Sequence, residues 1–261
     1  MKLCICTSSF KNIETIDIFI DSLLLQSYQN WELMLCDDNE EDEFKSSIES
    51  YLLDKKIKLT KNKENLGLTI SLIKLIDKLP SNSFIVRMDD DEIHGSEYLI
   101  SIANLFLRGH DLIIFTENKF LASIIKRLHC RSPFIASLIL CLTGNIATHG
   151  GLAFTKECYL NSGGYQKEFR YSQDYNLIIK MLKVSKNPYF TNQLNFKPFN
   201  IERTSYKISR DNKNMQKIFS LIAIIGLLED KSINKNKNFY LFIILLMISI
   251  PCKLLRSFLS R

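Results

Sequence analysis

Short apolar runs alternate with longer amphipathic segments over the first 116 residues, and this alternation constrains the fold more than any other feature. Apolar runs that stop at polar residues predict buried strands, whereas apolar residues repeating every three or four positions predict helices. The predicted strands are 3–6, 31–36, 57–59, 84–88 and 111–116, and the predicted helices are 13–25, 44–53, 68–79 and 98–107. This order predicts an α/β fold with a mostly parallel sheet and helices on both faces.

Three of the predicted strands end in polar clusters. These clusters are Thr7-Ser8-Ser9, Asp37-Asp38 and Asp89-Asp90-Asp91. In open α/β sheets, ligands bind outside the carboxyl ends of the strands. One edge of the sheet is therefore expected to collect all three clusters into a binding site.

The second half of the chain is less regular. The apolar run 134–142 has nine residues, too few to span a bilayer. A strand is predicted at 152–154, a turn at 161–165 and a helix at 174–184. A further apolar helix is predicted at 215–228, and 239–252 is a run of fourteen residues without a charge.

Charge is concentrated at the C-terminal end. The formal net charge is +6, and residues 203–261 hold eleven Lys and Arg against three Asp and Glu. A basic, partly apolar end predicts contact with an anionic surface. Aromatic residues do not alternate with the basic ones as in a base-stacking platform, which favours a membrane and argues against nucleic acid.

The seven cysteines form no CxxC pair. They indicate free thiols in a reducing compartment, not a disulfide framework or a zinc site. The apolar stretch at residues 1–6 is too short for a signal peptide, so a cytoplasmic location is expected.

The acidic cluster Asp89-Asp90-Asp91-Glu92 follows a predicted buried strand. Its carboxylates suit Mg²⁺ or Mn²⁺, which usually also bind substrate phosphates. Asp89 and Asp91 can share one face of an extended backbone. A solvated acidic turn is the alternative, and the spacing alone does not separate the two.

Other polar residues have two readings each. Asp37 and Asp38 are suited to accept hydrogen bonds from a base or a ribose, although a cap or turn is more common for Asp. Asp174 is either a helix N-cap or a general base. His149 precedes two glycines and, as a lone histidine, is more often structural. There is no GxGxxG, GxxxxGK[ST] or GxSxG motif, which removes the main support for dinucleotide, P-loop and hydrolase-elbow sites.

Taken in order, six segments resemble the family 2 glycosyltransferases, a GT-A-fold group that uses nucleotide sugars. They are ICTSSF (5–10), SLLLQSYQNWEL (22–33), CDDN (36–39), NLGL (65–68), RMDDDEI (87–93) and GGY (163–165) with QDYNL (173–177). The resemblance covers roughly residues 2 to 210. Glu92 stands where the family usually has Asp, and Lys11 where Asn is usual; the QxxRW motif of processive synthases is absent.

The resemblance implies a role for each matching residue. Asp91, helped by Asp89, binds the metal ion, Mn²⁺ or Mg²⁺, and Asp174 is the catalytic base. The donor site is completed by Thr7, Ser8, Asp37, Asp38, Asn65, Gly67, Arg87 and Asp90, with Glu92, His149 and Gln173 as further candidates. The implied reaction is an inverting, single-sugar transfer from a nucleotide sugar, with a UDP-sugar as the expected donor, to a glycan or lipid-linked acceptor in bacterial surface polysaccharide synthesis.

The expected organisation is a GT-A domain at 1–210, with a nucleotide-binding half at 1–116 and an acceptor-binding half at 117–210. Residues 211–261 are expected to form a helical tail. The uncharged run 239–252 would reach about 21 Å as a helix, short of the roughly 30 Å of a bilayer core. We expect the tail to lie at the inner face of the cell membrane, with packing on the catalytic domain as the alternative. Two other functions remain open: an inactive nucleotide-binding scaffold, and a membrane-binding module whose acidic cluster is merely solvated.

Overall fold

The computed structural model describes residues 1–116, 118–143, 147, 151–169, 172–191 and 196–198. A seven-stranded sheet has the order β3-β2-β1-β4-β7-β6-β8. Its strands are β1 (Leu3–Ser9), β2 (Trp31–Asp37), β3 (Ile57–Lys61), β4 (Phe84–Arg87), β6 (Leu112–Phe115), β7 (Leu152–Thr155) and β8 (Pro188–Thr191). A second, two-stranded sheet pairs β5 (Glu92–His94) with β9 (Phe196–Pro198).

Helices cover both faces of the large sheet. They are α1 (Ile16–Leu24), α2 (Glu43–Ser47), α3 (Leu68–Asp77), α4 (Tyr98–Leu107), α5 (Lys119–Arg131), α6 (Pro133–Thr143), α7 (Lys156–Asn161) and α8 (Gln173–Val184). Within the large sheet, neighbouring strands are parallel except that β7 runs antiparallel to both β4 and β6. The prediction of a mostly parallel, helix-flanked sheet is confirmed.

Alternating side chains of the strands divide the core into two layers, because successive strand residues point to opposite faces. Leu3 and Ile5 pack with residues of α1 and α4. Cys4 and Cys6 pack with residues of α3, α6 and α8 on the other face. A strand covered on both faces is a continuous apolar run in the sequence, and this pattern predicts β1.

Several predicted boundaries were wrong. The helix expected at 44–53 is a five-residue helix, α2, followed by the 3-10 turn Tyr51–Leu53. The hydroxyl of Ser47 donates a 2.7 Å hydrogen bond to the carbonyl of Phe44, and such local bonds compete with helix continuation. The elements α5, α7, β5, β8 and β9 were not predicted from the sequence, and the apolar run in α6 was noted without being assigned to a helix.

The glutamine of the segment 22–33 has a structural role. Gln26 is 1% exposed, and its Nε2 donates to the carbonyls of Ser22, His94 and Gly95 at 2.9–3.3 Å. Its Oε1 accepts from the amide of Leu99 at 2.9 Å. One side chain therefore ties the end of α1 to the turn after β5 and to the start of α4.

Six cysteines lie in the described part of the chain; they are free, and five of them are buried. Burial raises the pKa of Cys4 to about 11 and that of Cys158 to about 12, which keeps both thiols protonated. Within the ranges given above, no helix is long and apolar enough to cross a membrane. His149 and the predicted tail at 211–261 lie outside the described residues.

Candidate active site

The carboxyl ends of β1, β2 and β4 bring the predicted polar clusters to one edge of the sheet. Ser9 at the end of β1 stands in register with Asp37 of β2, and Cys6 with Arg87 of β4. Residues 89–92, called the acidic turn below, follow β4, and Asp174 at the start of α8 contacts Arg87 at the end of β4. Residues from four separated segments therefore meet at the expected edge.

Arg87 is the centre of this arrangement. Its side chain is 3% exposed, with Nη1 at 2.7 Å from Oδ2 of Asp89 and Nη2 at 3.7 Å from Oδ2 of Asp174. Burial opposes the charge, but the carboxylates of Asp89 and Asp174 outweigh it and raise the pKa of Arg87. A permanently cationic side chain thus joins the acidic turn to α8.

Asp174 is held from two sides. The hydroxyl of Tyr165 donates a 2.8 Å hydrogen bond to Oδ1, while Oδ2 faces Arg87. Ser172, not Asp174, is the N-cap of α8, and Asp174 lies in the first turn, so the N-cap alternative is wrong. Its side chain keeps 15% exposure, which leaves the carboxylate accessible beside buried partners.

The carboxylates of the acidic turn differ in how far they are buried. Asp90 is 4% exposed, and its Oδ1 accepts a 2.7 Å hydrogen bond from Nδ2 of Asn12. Burial, reinforced by the charges of Asp89 and Asp91, raises the pKa of Asp90 to about 7. Asp89 and Asp91 are each partly exposed on either side of it. Asp90 therefore anchors the turn to the loop after β1.

Glu92 begins β5 and is 2% exposed, with Oε2 at 3.7 Å from Nε2 of His94. Burial lowers the pKa of His94 to about 3, so the imidazole is neutral and the contact is not an ion pair. Glu92 is therefore buried against His94, whereas Asp89 and Asp91 are partly exposed. Gln173, the first residue of α8, is partly exposed beside Asp174.

The described residues contain no group of three or more His, Cys, Asp or Glu placed to hold a metal ion by themselves. Mg²⁺ is commonly held by one or two carboxylates together with substrate phosphates. The partly exposed, hard oxygen donors of Asp89 and Asp91 fit an ion that is shared with a diphosphate. They do not fit a closed, all-protein metal site.

The two aspartates after β2 have different surroundings. Asp38 accepts hydrogen bonds from Nδ2 of Asn62 at 2.8 Å and from the amides of Leu66 and Gly67 at 2.9 and 2.8 Å. Oδ1 of Asp37 accepts from the amide and the side chain of Asn39, whereas its buried Oδ2 has no hydrogen-bond partner in the described part of the chain. Asp38 therefore holds the loop before α3.

That loop needs its glycine. Gly67 has φ +83°, a conformation that favours glycine, and it is the N-cap of α3. Oδ1 of the exposed Asn65 also accepts from the Gly67 amide, at 3.0 Å. On the neighbouring strand, Thr7 is fully buried, with no partner for its Oγ1 among the described residues, and Ser8 is partly exposed.

Three residues at the site were missed from the sequence: Asn12, Asn62 and Tyr165. The family that the sequence resembles usually has Asn at the position of Lys11, and in this chain Asn12 is the next residue. Shifting that part of the comparison by one residue would have identified Asn12. Lys11 itself has φ +59°, and its amide donates to Oδ1 of Asn39 at 2.7 Å. The hydroxyl of Tyr165 carries no sequence signal without the position of Asp174.

Residues 4–124 match the model of the family described as Glycosyl transferase family 2. Over 124 residues the chain is 33% identical to the bifunctional glycosyltransferase pgtA of Dictyostelium discoideum, covering 43% of this chain and 16% of pgtA. It is 25% identical over 198 residues to the putative glycosyltransferase EpsE of Bacillus subtilis (strain 168), covering 74% of this chain and 67% of EpsE. It is 34% identical over 102 residues to the UDP-Glc:alpha-D-GlcNAc-diphosphoundecaprenol beta-1,3-glucosyltransferase WfgD of Escherichia coli, covering 39% of this chain and 40% of WfgD. The chain thus spans less than half the length of pgtA and of WfgD.

Solved structures share the fold. S. aureus TarS 1-349 in complex with UDP-GlcNAc aligns with a TM-score of 0.64 at 12% identity, covering 86% of this chain and 67% of that one. The mannosyltransferase PcManGT from Pyrobaculum calidifontis, in complex with GDP-Man and Mn²⁺, aligns with a TM-score of 0.65 at 13% identity, covering 86% and 64%. At these identities the likeness establishes the GT-A fold.

Proposed function

We propose that this chain, whose residues 4–124 match the Glycosyl transferase family 2 model and whose fold is GT-A, is an inverting enzyme that transfers one sugar from a nucleoside-diphosphate sugar to an acceptor hydroxyl. The observation that carries the proposal is the position of Arg87. This buried cation contacts both Asp89 of the acidic turn and Asp174 of α8. It links the residues proposed to bind the donor to the residue proposed to act on the acceptor.

The proposed donor site lies in residues 1–116. Asp91, with Asp89, would hold Mn²⁺ or Mg²⁺ together with the diphosphate. When bound, such an ion stabilises the negative charge on the leaving nucleoside diphosphate. Asp37 or Asp38 would bind the nucleobase of the donor, and Thr7 and Ser8 would line the same pocket. Asp37 is favoured, because its buried Oδ2 has no hydrogen-bond partner among the described residues, whereas both carboxylate oxygens of Asp38 already accept hydrogen bonds.

Asp174 is the proposed general base. Its carboxylate accepts the proton of the acceptor hydroxyl, whose oxygen forms the new bond to the anomeric carbon. The bond between that carbon and the diphosphate oxygen breaks on the opposite face, so the configuration inverts. Arg87 and Tyr165 orient the carboxylate. A base in this role contributes about 10²–10⁴-fold in rate.

The proposed donor is a UDP-sugar and the proposed acceptor is lipid-linked. Support for the donor comes from TarS, solved with UDP-GlcNAc, and from WfgD, named as using UDP-Glc. Support for the acceptor comes from WfgD, which is named for a diphosphoundecaprenol substrate. On this proposal the enzyme works in bacterial surface polysaccharide synthesis at the cytoplasmic face of the membrane, with 117–210 as its acceptor half.

The test is a thermal-shift screen of nucleoside-diphosphate sugars with and without Mn²⁺, followed by a transfer assay with the best donor. We expect one nucleotide class to raise the Tm only when metal is present, and this donor to support transfer or slow hydrolysis. Donor binding without either reaction would favour the scaffold alternative. The absence of metal-dependent stabilisation by every nucleotide would contradict the proposal.

A further inference from the structure

The surface helix α5 carries cations and no anions. Lys119, Lys126, Arg127 and Arg131 lie within Lys119–Arg131, and no Asp or Glu occurs between residues 118 and 156. The side chain of Asn118 caps the helix by accepting from the amide of Leu121 at 3.0 Å. This local positive charge is separate from the basic C-terminal tail.

The helix has distinct inner and outer faces. Ala122, Ile125 and His129 are buried, at the spacing of one helical face. On the opposite side, Phe120, Arg127 and Arg131 are exposed, and Phe120 is 79% exposed. At 3.6 residues per turn, positions seven and eleven after Phe120 return to the same side, so the two arginines form a stripe with the phenylalanine.

The flank of this stripe is supported by the sheet. Nζ of Lys126 lies 5.4 Å from the ring centroid of Tyr189 in β8. Ile124 lies partly exposed beside the stripe. The outer face therefore combines one largely exposed aromatic ring with two exposed arginines, and the inner face of the same helix is buried against the protein.

Topology places the start of α5 at the edge that holds the site. Because β6 and β4 both run antiparallel to β7, β6 has the same direction as β4. The chain therefore leaves β6 at the edge where Arg87 leaves β4, and α5 begins there. The following helix, α6, ends beside α8, where the hydroxyl of Tyr175 donates to the carbonyl of Cys141 at 2.7 Å. The α5–α6 hairpin is thus joined to the residue next to Asp174.

We propose that the outer face of α5, formed by Phe120, Arg127 and Arg131, docks on anionic phospholipid headgroups. Arginines bind lipid phosphates by charge and paired hydrogen bonds, and an exposed ring at a helix end is suited to the headgroup–acyl boundary. Phe120 is the sole aromatic residue of α5, which is not the row of stacking rings that single-stranded nucleic acid requires. Docking here brings the start of α5, which lies at the edge of the sheet that holds the site, to the membrane surface, independently of the tail.

The test uses the full chain and vesicles of phosphatidylcholine with or without phosphatidylglycerol. The variant Arg127→Glu/Arg131→Glu is compared with Lys45→Glu/Lys55→Glu, which makes the same charge change at two exposed lysines, one in α2 and one just before β3. We expect the α5 variant to lose about tenfold or more of its affinity for the anionic vesicles, and the control to bind like the unaltered protein. UDP affinity and the urea midpoint, unchanged in both, separate this result from misfolding and from failure of the proposed function.

A direct probe is available because the chain has one tryptophan, Trp31, which is 1% exposed. In the variant Phe120→Trp, the new indole emission should shift to the blue when anionic vesicles are added and should be quenched by lipids labelled in the upper acyl chain. Equal vesicle binding by Arg127→Glu/Arg131→Glu and the unaltered protein would assign attachment to another segment and overturn the proposal. So would binding of single-stranded RNA with no shift on vesicles.

Discussion

The hydroxyl of Tyr165 lies 2.8 Å from Oδ1 of Asp174 and donates a hydrogen bond to it. Tyr165 is itself fixed, since it is buried and its amide donates to the hydroxyl of Tyr159 at 3.1 Å. The preceding Gly164 has φ +60°, and a Cβ added there would meet the Tyr159 ring at 2.6 Å. The geometry of the proposed base is therefore built into the turn between α7 and α8.

Replacing Tyr165 by Phe removes the hydrogen bond and keeps the ring. We expect kcat to fall about tenfold, roughly 1.4 kcal/mol, with the KM for the donor unchanged, because the hydroxyl orients only the carboxylate. Tyr175→Phe is the matched control: its hydroxyl is also buried and also bonded, but to backbone carbonyls of α6. An equal loss of kcat in both variants would mean that the effect is general loosening of the fold.

Asp174→Asn tests the base directly. We expect transfer to fall by about 10²–10⁴-fold, while metal-dependent UDP binding persists, because the carboxylate acts on the acceptor proton. Asp21→Asn is the control, since Asp21 also accepts a hydrogen bond from a tyrosine, Tyr51, at 2.9 Å, but lies on α1. Steady-state transfer rates and UDP titrations give both readouts. Normal turnover in Asp174→Asn would remove Asp174 from the mechanism.

Local patterns were sufficient for the regular part of the fold and for the edge that holds the site. The strands β1, β2 and β4 are apolar runs with clear polar ends, so their positions and the meeting of their termini followed from the sequence. The partnerships at the site did not follow, because they join residues far apart in the chain: Asn12 with Asp90, and Arg87 with Asp174. The tasks of Asp38 and Gln26 were hidden for the same reason.

The metal prediction rests on Asp91. Asp91→Asn should weaken UDP binding in Mn²⁺ by about tenfold or more and leave the metal-free affinity unchanged, because only the shared ion is lost. The control is Glu97→Gln, an exposed carboxylate at the N-cap of α4 that makes no capping hydrogen bond. Calorimetric titrations of UDP with and without Mn²⁺ measure the difference. The same metal dependence in Asp91→Asn as in the unaltered protein would place the ion elsewhere.

The last prediction concerns stability at Gln26. In Gln26→Leu the carbonyls of His94 and Gly95 and the amide of Leu99 lose their side-chain partner, and a buried polar group without a partner costs about 1–3 kcal/mol. We expect the free energy of unfolding in urea to fall by about 3 kcal/mol, with weaker metal-dependent UDP binding because the released turn follows β5 and the acidic turn. Gln29→Leu is the same substitution three residues away at an exposed site where water can replace the lost bonds, and it should cost less than about 1 kcal/mol. If the two variants unfold at the same urea concentration, Gln26 does not fasten α1 to the turn, and the match to the family at this position has another cause.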